Sequence, residues 1–300
     1  MIHCFFHSVD LDGHCSGAIV HRKHPDCKLH GINYGDPFPW DEIGKDDTVY
    51  MVDFSLQPFS DMIRLKESCN LIWIDHHKSA LDNAEKNDFS AEGNSRNGTA
   101  GCELTWEYIY PDVEMPRAVY LLGRYDVWDH EDPDTLVFQY GMRIYPNTFP
   151  QSDIWEKMLS DDKEFLNKTL KDGEFIIEYE KVQETKYCRG YSFETEIDGK
   201  KAIALNKGFA SSKIFDSKWD PEIYDLMIVF HWSKKGFWKV SLYSTKEDVD
   251  VSAIAIRYDG GGHKGAAGFQ IYGDLPFLKR ASLLKRIGQR LKFIWNRIWK

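Results

Sequence analysis

The stretch FFHSVDLDGHCSG, residues 5–17, sets two aspartates and two histidines within eight positions, directly after an apolar run. Asp10 and Asp12 stand two residues apart, flanked by His7 and His14 and followed by Gly13. Carboxylates this close repel each other unless protons or cations lie between them. The stretch is therefore either a solvated acidic turn or half of a metal site, and the surrounding sequence has to decide.

The apolar run belongs to a series of strand-like segments at 2–8, 28–34, 47–55 and 70–77. Between them, Gly13–Lys23 and Pro58–Cys69 carry helical spacing, with Pro58 suited to a first helical turn. Strands alternating with helices predict an α/β fold with a parallel sheet. Three of these four strands end in acidic residues or histidines: His7 with Asp10 and Asp12, then Asp53, then Asp75-His76-His77. Ligand sites in open α/β sheets lie beyond the carboxyl ends of the strands, so these residues are expected to converge on one edge. Asp126 and Asp129, in YLLGRYDVWDH (120–130), offer a further carboxylate. Hard divalent cations favour carboxylates, and histidine adds affinity for borderline metals such as Mn²⁺. Taken singly, Asp53 reads as a helix cap, Asp126 as a loop residue and each histidine as a core residue. Their recurrence at successive strand ends makes a metal site the better reading.

Beyond this region the texture changes. Residues 151–186 are charged and mostly helical, and KDGEFIIEYEKVQETK (171–186) resembles a connecting helix. From about Tyr187 the pattern is β. YSFETEIDGKKAIAL reads as a hairpin turning at Asp198-Gly199, and LMIVFHWSKKGFWKVSLYS as a second. A short helix at 250–258 leads into DGGGHKGAAGF (259–269). Gly260, Gly261 and Gly262 would let the backbone approach a phosphate closely, with His263 and Lys264 adding donors; the alternative is an ordinary tight turn. The expected organisation is a parallel-sheet domain over 1–150, a helical connector over 151–186, a smaller mixed α/β domain over 187–274 and a basic amphipathic tail over 275–300. The segment NGTAG (97–101) opens a helix, either as a plain helix start or with its N–H groups aimed at a substrate. His14 reads as pocket-lining or solvated, and His21, His24 and His30 as solvated or structural.

With 42% hydrophobic and 14% aromatic residues over 300 positions, the chain has the composition of a folded protein and the length of two domains. No apolar run approaches the ~20 residues that span a bilayer. The N-terminus lacks the basic start and cleavage site of a signal peptide. Six scattered cysteines read as buried reduced thiols, so the expected compartment is cytoplasmic. The net charge is −9, yet Leu275–Lys300 carries eight Lys/Arg and no Asp/Glu, which leaves −17 on the first 274 residues. That balance argues against long duplex DNA as a partner and favours a small anionic substrate held by metals and a few local donors. The tail reads as an amphipathic helix packed on the body. Its alternative is a contact surface for RNA or an anionic membrane, and oligomerisation is compatible with either.

Five ordered motifs give the chain a family resemblance. HSVDLDG (7–13), VDFS (52–55), DHH (75–77), GRYDVWDH (123–130) and GGGHKGAAG (260–268) resemble the motifs of the DHH phosphoesterase superfamily. The likeness is greatest to its oligoribonuclease and cyclic-nucleotide phosphodiesterase branch, which carries a DHH-associated C-terminal domain. It implies an active site in the cleft between the two domains and two divalent ions, Mn²⁺ foremost and Mg²⁺ next. His7 and Asp10 would hold one ion and Asp12, His76 and Asp126 the other, with Asp53 bridging. Asp75 would orient a histidine ring and His77 would face the scissile phosphate or leaving group, while Gly260, Gly261, Gly262 and His263 would grip the substrate. Two departures stand out. Many relatives have one more residue between the first His and Asp, and an arginine common in the second domain's SLRS strand is here Tyr243. The resemblance implies an exonuclease-like phosphodiester hydrolase that cuts short RNA or cyclic (di)nucleotides with water activated between two metals. The alternatives are a phosphomonoesterase or pyrophosphatase on the same ligands, or a catalytically silent nucleotide-binding sensor. A sensor would have lost ligands, and here all six are present.

Overall fold

Alternation of side chains along the first strand sets up the N-terminal layers. In the computed structural model, which describes residues 1–278, Phe5 faces one side with Met51, Met62 and Leu65, while Cys4 and Phe6 face the other with Val20 and Leu104. Both faces are thus covered by helices, as a parallel sheet requires. The strands are β1 (Ile2–His7), β2 (Lys28–Ile32), β3 (Thr48–Val52) and β4 (Asn70–Ile74), all parallel, in the order β2-β1-β3-β4.

Helix α1 (Leu11–Lys23) begins two residues before the predicted start, because Asp10 caps it by accepting from the Gly13 amide at 2.9 Å. Asp12 therefore lies in the first turn. Helix α2 (Ser60–Ser68) starts after Pro58 and not on it. Further on come α3 (Lys78–Lys86), α4 (Gly101–Ile109), α5 (Arg117–Asp126), α6 (Pro133–Met142), α7 (Ile154–Leu159) and the 29-residue α8 (Lys163–Tyr191). Ile19, Trp106, Leu121, Phe138 and Trp155 close a core among α1, α4, α5, α6 and α7.

The chain divides into two compact units, Met1–Glu178 and Tyr179 onward, so the boundary falls inside α8. The second unit holds a six-stranded mixed sheet in the order β5-β6-β7-β8-β10-β9. Its strands are β5 (Phe193–Ile197), β6 (Lys200–Asn206), β7 (Leu226–Trp232), β8 (Trp238–Tyr243), β9 (Gly261–His263) and β10 (Ala266–Ile271), with α9 (Val251–Ile256) packed against them. β5 and β6 pair antiparallel across Asp198-Gly199, whose φ angles of 50° and 76° are those of a two-residue hairpin turn. β7 and β8 form the second expected hairpin, while β6 and β7 run parallel. Leu275 and Phe277, at the start of the predicted tail, pack into this unit's core. Residues 279–300, with the remainder of the basic tail, lie outside the described residues.

All six cysteines are free, five of them buried, as expected of reduced thiols. Among the described residues no helix is long and apolar enough to cross a membrane.

Candidate metal centre

Strand register brings the first ligands level. Phe6 pairs with Val52 and Val52 with Ile74, so His7, Asp53 and Asp75 stand side by side at the carboxyl edge of the sheet. His7 Nδ1 lies 2.7 Å from Asp10 Oδ2 and 3.6 Å from Asp53 Oδ2. His76 Nε2 lies 3.2 Å from both Asp53 Oδ1 and Asp126 Oδ2, and 3.6 Å from Asp12 Oδ2. Two clusters of possible ligands result, His7/Asp10/Asp53 and Asp12/His76/Asp126, each with its donor atoms within 4.8 Å of one another. A third, Asp53/His76/His77, joins them. Asp53 turns one oxygen toward each histidine, which is the arrangement a bridging carboxylate needs.

Local backbone explains how the carboxylates are held. Asp53 has φ 53° and donates its amide to Ile74 O at 2.8 Å. Aspartate is one of the few residue types that occupy this left-handed region, and such positions cluster at functional sites. Asp10 uses Oδ1 to cap α1 and keeps Oδ2 for His7. A Cβ on Gly13 would fall 2.1 Å from the His7 carbonyl oxygen, so only glycine lets α1 start this close to the end of β1. The two-residue spacing between His7 and Asp10 brings His7 into the cluster without an extra residue.

Asp12 is held by an element the sequence reading pointed elsewhere. The amides of Gly101 and Cys102, in the first turn of α4, donate to Asp12 Oδ2 and Oδ1 at 2.8 and 2.7 Å. The helix N-terminus opened by NGTAG thus supports a ligand carboxylate. Behind it, Glu103 accepts from the Ala100 amide at 3.0 Å and forms a two-pronged ion pair with Arg124 of α5. Arg124 also reaches Asp129 Oδ2 at 3.3 Å. Asp129 is therefore an arginine partner, while Asp126, two residues past Arg124, enters the cluster. Sequence reasoning missed Glu103 and Arg124, and gave Gly101 a different task. The glutamate three residues into α4, in the position that caps a helix start, was the one available signal.

Asp75 is fully buried and accepts from the amides of His76 and His77 at 2.7 and 3.0 Å. The same oxygen faces His77 Nδ1 at 2.7 Å, which fixes the ring and leaves Nε2 free to act. His14 is neither solvated nor a ligand: its ring nitrogens contact Thr148 Oγ1 at 2.9 Å and the Ser8 carbonyl at 3.1 Å. His24 pairs with the Tyr50 hydroxyl and His30 with His3, both structural.

The donors fit divalent cations. Asp12, Asp53, His7 and His76 are all buried; His7 Nε2 has no hydrogen-bond partner, and His76 Nε2 and Asp53 Oδ1 face each other at 3.2 Å without hydrogen-bond geometry. Buried orphans of this kind each cost about 1–3 kcal/mol and call for a compensating partner. Burial and the neighbouring Asp53 carboxylate push Asp12 up to about 8 despite its two amide donors. Partial burial and the Asp12 carboxylate push Asp126 up to about 7. Burial pulls down on both His7 and His76. The Asp10 and Asp53 carboxylates outweigh it at His7, lifting the ring to about 10, and Asp53 with Asp12 lifts His76 to about 9. Against its own burial, Asp10 is held below the ordinary carboxylate range by His7 and the Gly13 amide. The mix of carboxylate oxygens and imidazole nitrogens suits a borderline divalent metal.

In the second unit, two of the motif glycines serve packing. A Cβ on Gly260 would fall 2.2 Å from Gly268 O, and one on Gly262 (φ 139°) would fall 2.5 Å from Ala267 Cα. Gly261 meets nothing within 4 Å, and His263 is exposed, paired in register with Ala266. Beside them Tyr243, Gly260 and Ala267 help line an open cavity of about 640 Å³.

The parallel first sheet and the mixed second sheet share the fold of solved DHH-domain proteins. The DHH domain of a protein described as a member of a ribosomal-protein family superposes with a TM-score of 0.52 at 15% identity, covering 97% of this chain and 86% of that one. The pGpG-specific phosphodiesterase PggH from Vibrio cholerae superposes with a TM-score of 0.51 at 11% identity, covering 99% of both chains. In sequence, the chain is similar to uncharacterized protein R106 of Acanthamoeba polyphaga mimivirus, 29% identical over 255 residues. That match takes in 78% of this chain and 56% of the mimivirus protein, so the chain spans little more than half its relative's length. No protein-family model matches the sequence.

Proposed function

We propose that the chain is a metal-dependent phosphodiesterase that hydrolyses short oligoribonucleotides or cyclic (di)nucleotides. The observation that carries this reading is the pair of three-residue donor clusters meeting where Asp53 and His76 face each other at 3.2 Å. His7, Asp10 and Asp53 would hold one divalent cation and Asp12, His76 and Asp126 a second, with Mn²⁺ favoured over Mg²⁺ by the two imidazoles. Bound there, such ions supply charge stabilisation for a phosphate under attack and lower the pKa of water toward neutrality.

The chain's own groups do the rest. Asp53 holds both clusters at a set separation, and the α4 amides keep Asp12 oriented. The hydrogen bond that His77 Nδ1 donates to Asp75 raises the pKa of His77, and this hold on Nδ1 leaves Nε2 to carry a proton toward a leaving oxygen. No nucleophilic side chain is required. A nucleotide substrate is supported by the fold shared with a pGpG-specific phosphodiesterase. The overall charge of −9 favours a short anion over a long one. In the second unit, Gly261 and His263 are the proposed phosphate donors.

The test is one purified sample stripped with chelator and reloaded with Mn²⁺ or Mg²⁺. It is assayed on di- to pentanucleotides, cyclic dinucleotides, a 3′-phosphorylated nucleotide and pyrophosphate. Metal-dependent cleavage of the short phosphodiesters, faster per molecule than of a long duplex, is the expected result. Full turnover in excess chelator, or a preference for pyrophosphate, would overturn the reading.

A further inference from the structure

Trp128 occupies a position built for glycine. Helix α5 ends at Asp126, and the Trp128 and Asp129 amides close it by donating to Tyr125 O at 3.1 Å and Arg124 O at 2.8 Å. This is a Schellman closure, in which the residue at Trp128's place adopts the left-handed conformation and is usually glycine. Trp128 has φ 61°. A bulky side chain there is strained. The indole is also 72% exposed, so the strain is not offset by burial. Two unfavourable features at one residue, with little return in packing, point to a contact made outside the protein.

The surroundings say what kind. The Trp128 ring meets His130 edge-on at 4.7 Å, and both rings lie near Tyr125, at 6.4 and 5.8 Å. These contacts prop the indole and leave most of it open to solvent. Asp126, two residues back, faces His76 at 3.2 Å in the donor cluster. Two residues span at most about 7 Å of chain, so the Trp128 backbone lies within a nucleotide's length of a phosphate held at that cluster.

We propose that Trp128 is a stacking platform for the nucleobase next to the phosphate held at the metal centre, making the site selective for nucleotides over base-free phosphates. The proposal deepens the phosphodiesterase reading and rests on it for the position of the phosphate. An exposed aromatic accepts any base face, because stacking needs no particular hydrogen-bond pattern. It contributes about five- to hundredfold in affinity per base. The platform therefore selects for a base without choosing which one.

The experiment titrates the full-length, Mn²⁺-loaded protein with adenosine 5′-monophosphate and with inorganic phosphate by calorimetry, comparing wild type with Trp128→Gly and Trp128→Phe. Glycine suits the backbone here, so Trp128→Gly is expected to keep bound Mn²⁺ and to melt no lower than wild type. Its affinity for the nucleotide should fall five- to hundredfold while inorganic phosphate binds as before, with Trp128→Phe in between. Equal nucleotide affinity in wild type and Trp128→Gly, or a parallel loss of inorganic phosphate, overturns the platform. Parallel hydrolysis assays separate the two readings. If wild type hydrolyses no phosphodiester, the proposed activity falls, and the two binding curves still decide the role of Trp128.

Discussion

Gly101→Ala changes no ligand, yet it should loosen the metal centre. The added Cβ would stand 2.7 Å from Asp53 Cβ and 3.0 Å from both Asp12 Oδ2 and Asp53 Oδ1. Carbon atoms rest at about 3.5–4.0 Å, so relief needs a movement of nearly 1 Å. Neither side can yield without displacing a ligand. Asp53 is tethered through its amide to Ile74 and held at φ 53°, while the start of α4 is tied to Asp12 by two amides. Perturbing groups that orient ligands typically costs 10–100-fold in metal affinity, about 1.4–2.8 kcal/mol. Overpacking should also lower stability by about 1–3 kcal/mol, partly offset by the better helix propensity of alanine. Mn²⁺ titration of the chelator-stripped protein, with urea unfolding alongside, measures both. Gly190→Ala is the control, since a Cβ there meets nothing within 4 Å. Wild-type Mn²⁺ affinity in Gly101→Ala would refute the idea that α4 positions the ligands.

Four further outcomes are expected. Asp53→Asn should weaken both ions at once and cost more activity than Asp10→Asn, read as bound metal per chain and kcat. Glu103→Gln should destabilise the fold by less than the about 3–5 kcal/mol of a stranded buried charge, because Asp129 still faces Arg124 at 3.3 Å; if the pair acts as a unit, adding Arg124→Met should recover much of that loss in a double-mutant cycle. In the metal-free protein, His7, His76, Asp12 and Asp126 all bind protons more tightly than in the unfolded chain, with values of about 10, 9, 8 and 7. Their contribution to stability should therefore fall as pH rises from about 4 toward 10, against the opposite contribution of His30, lowered to about 4, over the acid part of that range; Mn²⁺ affinity should climb over the upper part and uptake release protons, measurable by melting and by calorimetry in two buffers. Finally, His263→Ala should keep both ions and lower kcat/KM for a dinucleotide about ten- to hundredfold, the worth of one charge-assisted hydrogen bond to phosphate; unchanged kinetics would reduce the GGGH segment to a hairpin.

Much of the candidate site was legible because few residue types can ligate a metal. His7, Asp10, Asp12, Asp53 and His76 announce themselves by following apolar strand runs, and strands of a parallel sheet deliver their ends to one edge by geometry alone. Asp198-Gly199 was equally readable, since a two-residue hairpin demands positive φ at both positions. What remained hidden depends on contacts between residues far apart in the chain. The residue pattern alone left Asp126 and Asp129 open and the family resemblance named Asp126; the physical reason lies in Arg124, which engages Asp129 while Asp126 faces His76. The support of Asp12 by Gly101 and Cys102 crosses some ninety positions, a distance no local pattern encodes. Gly260 and Gly262 looked like phosphate-binding glycines, and only the pairing of β9 with β10 shows how tightly their backbones are packed. Trp128 gave no signal at all in the sequence. Its meaning comes from a left-handed φ and an uncovered ring, and both are properties of the folded helix end, not of the residue.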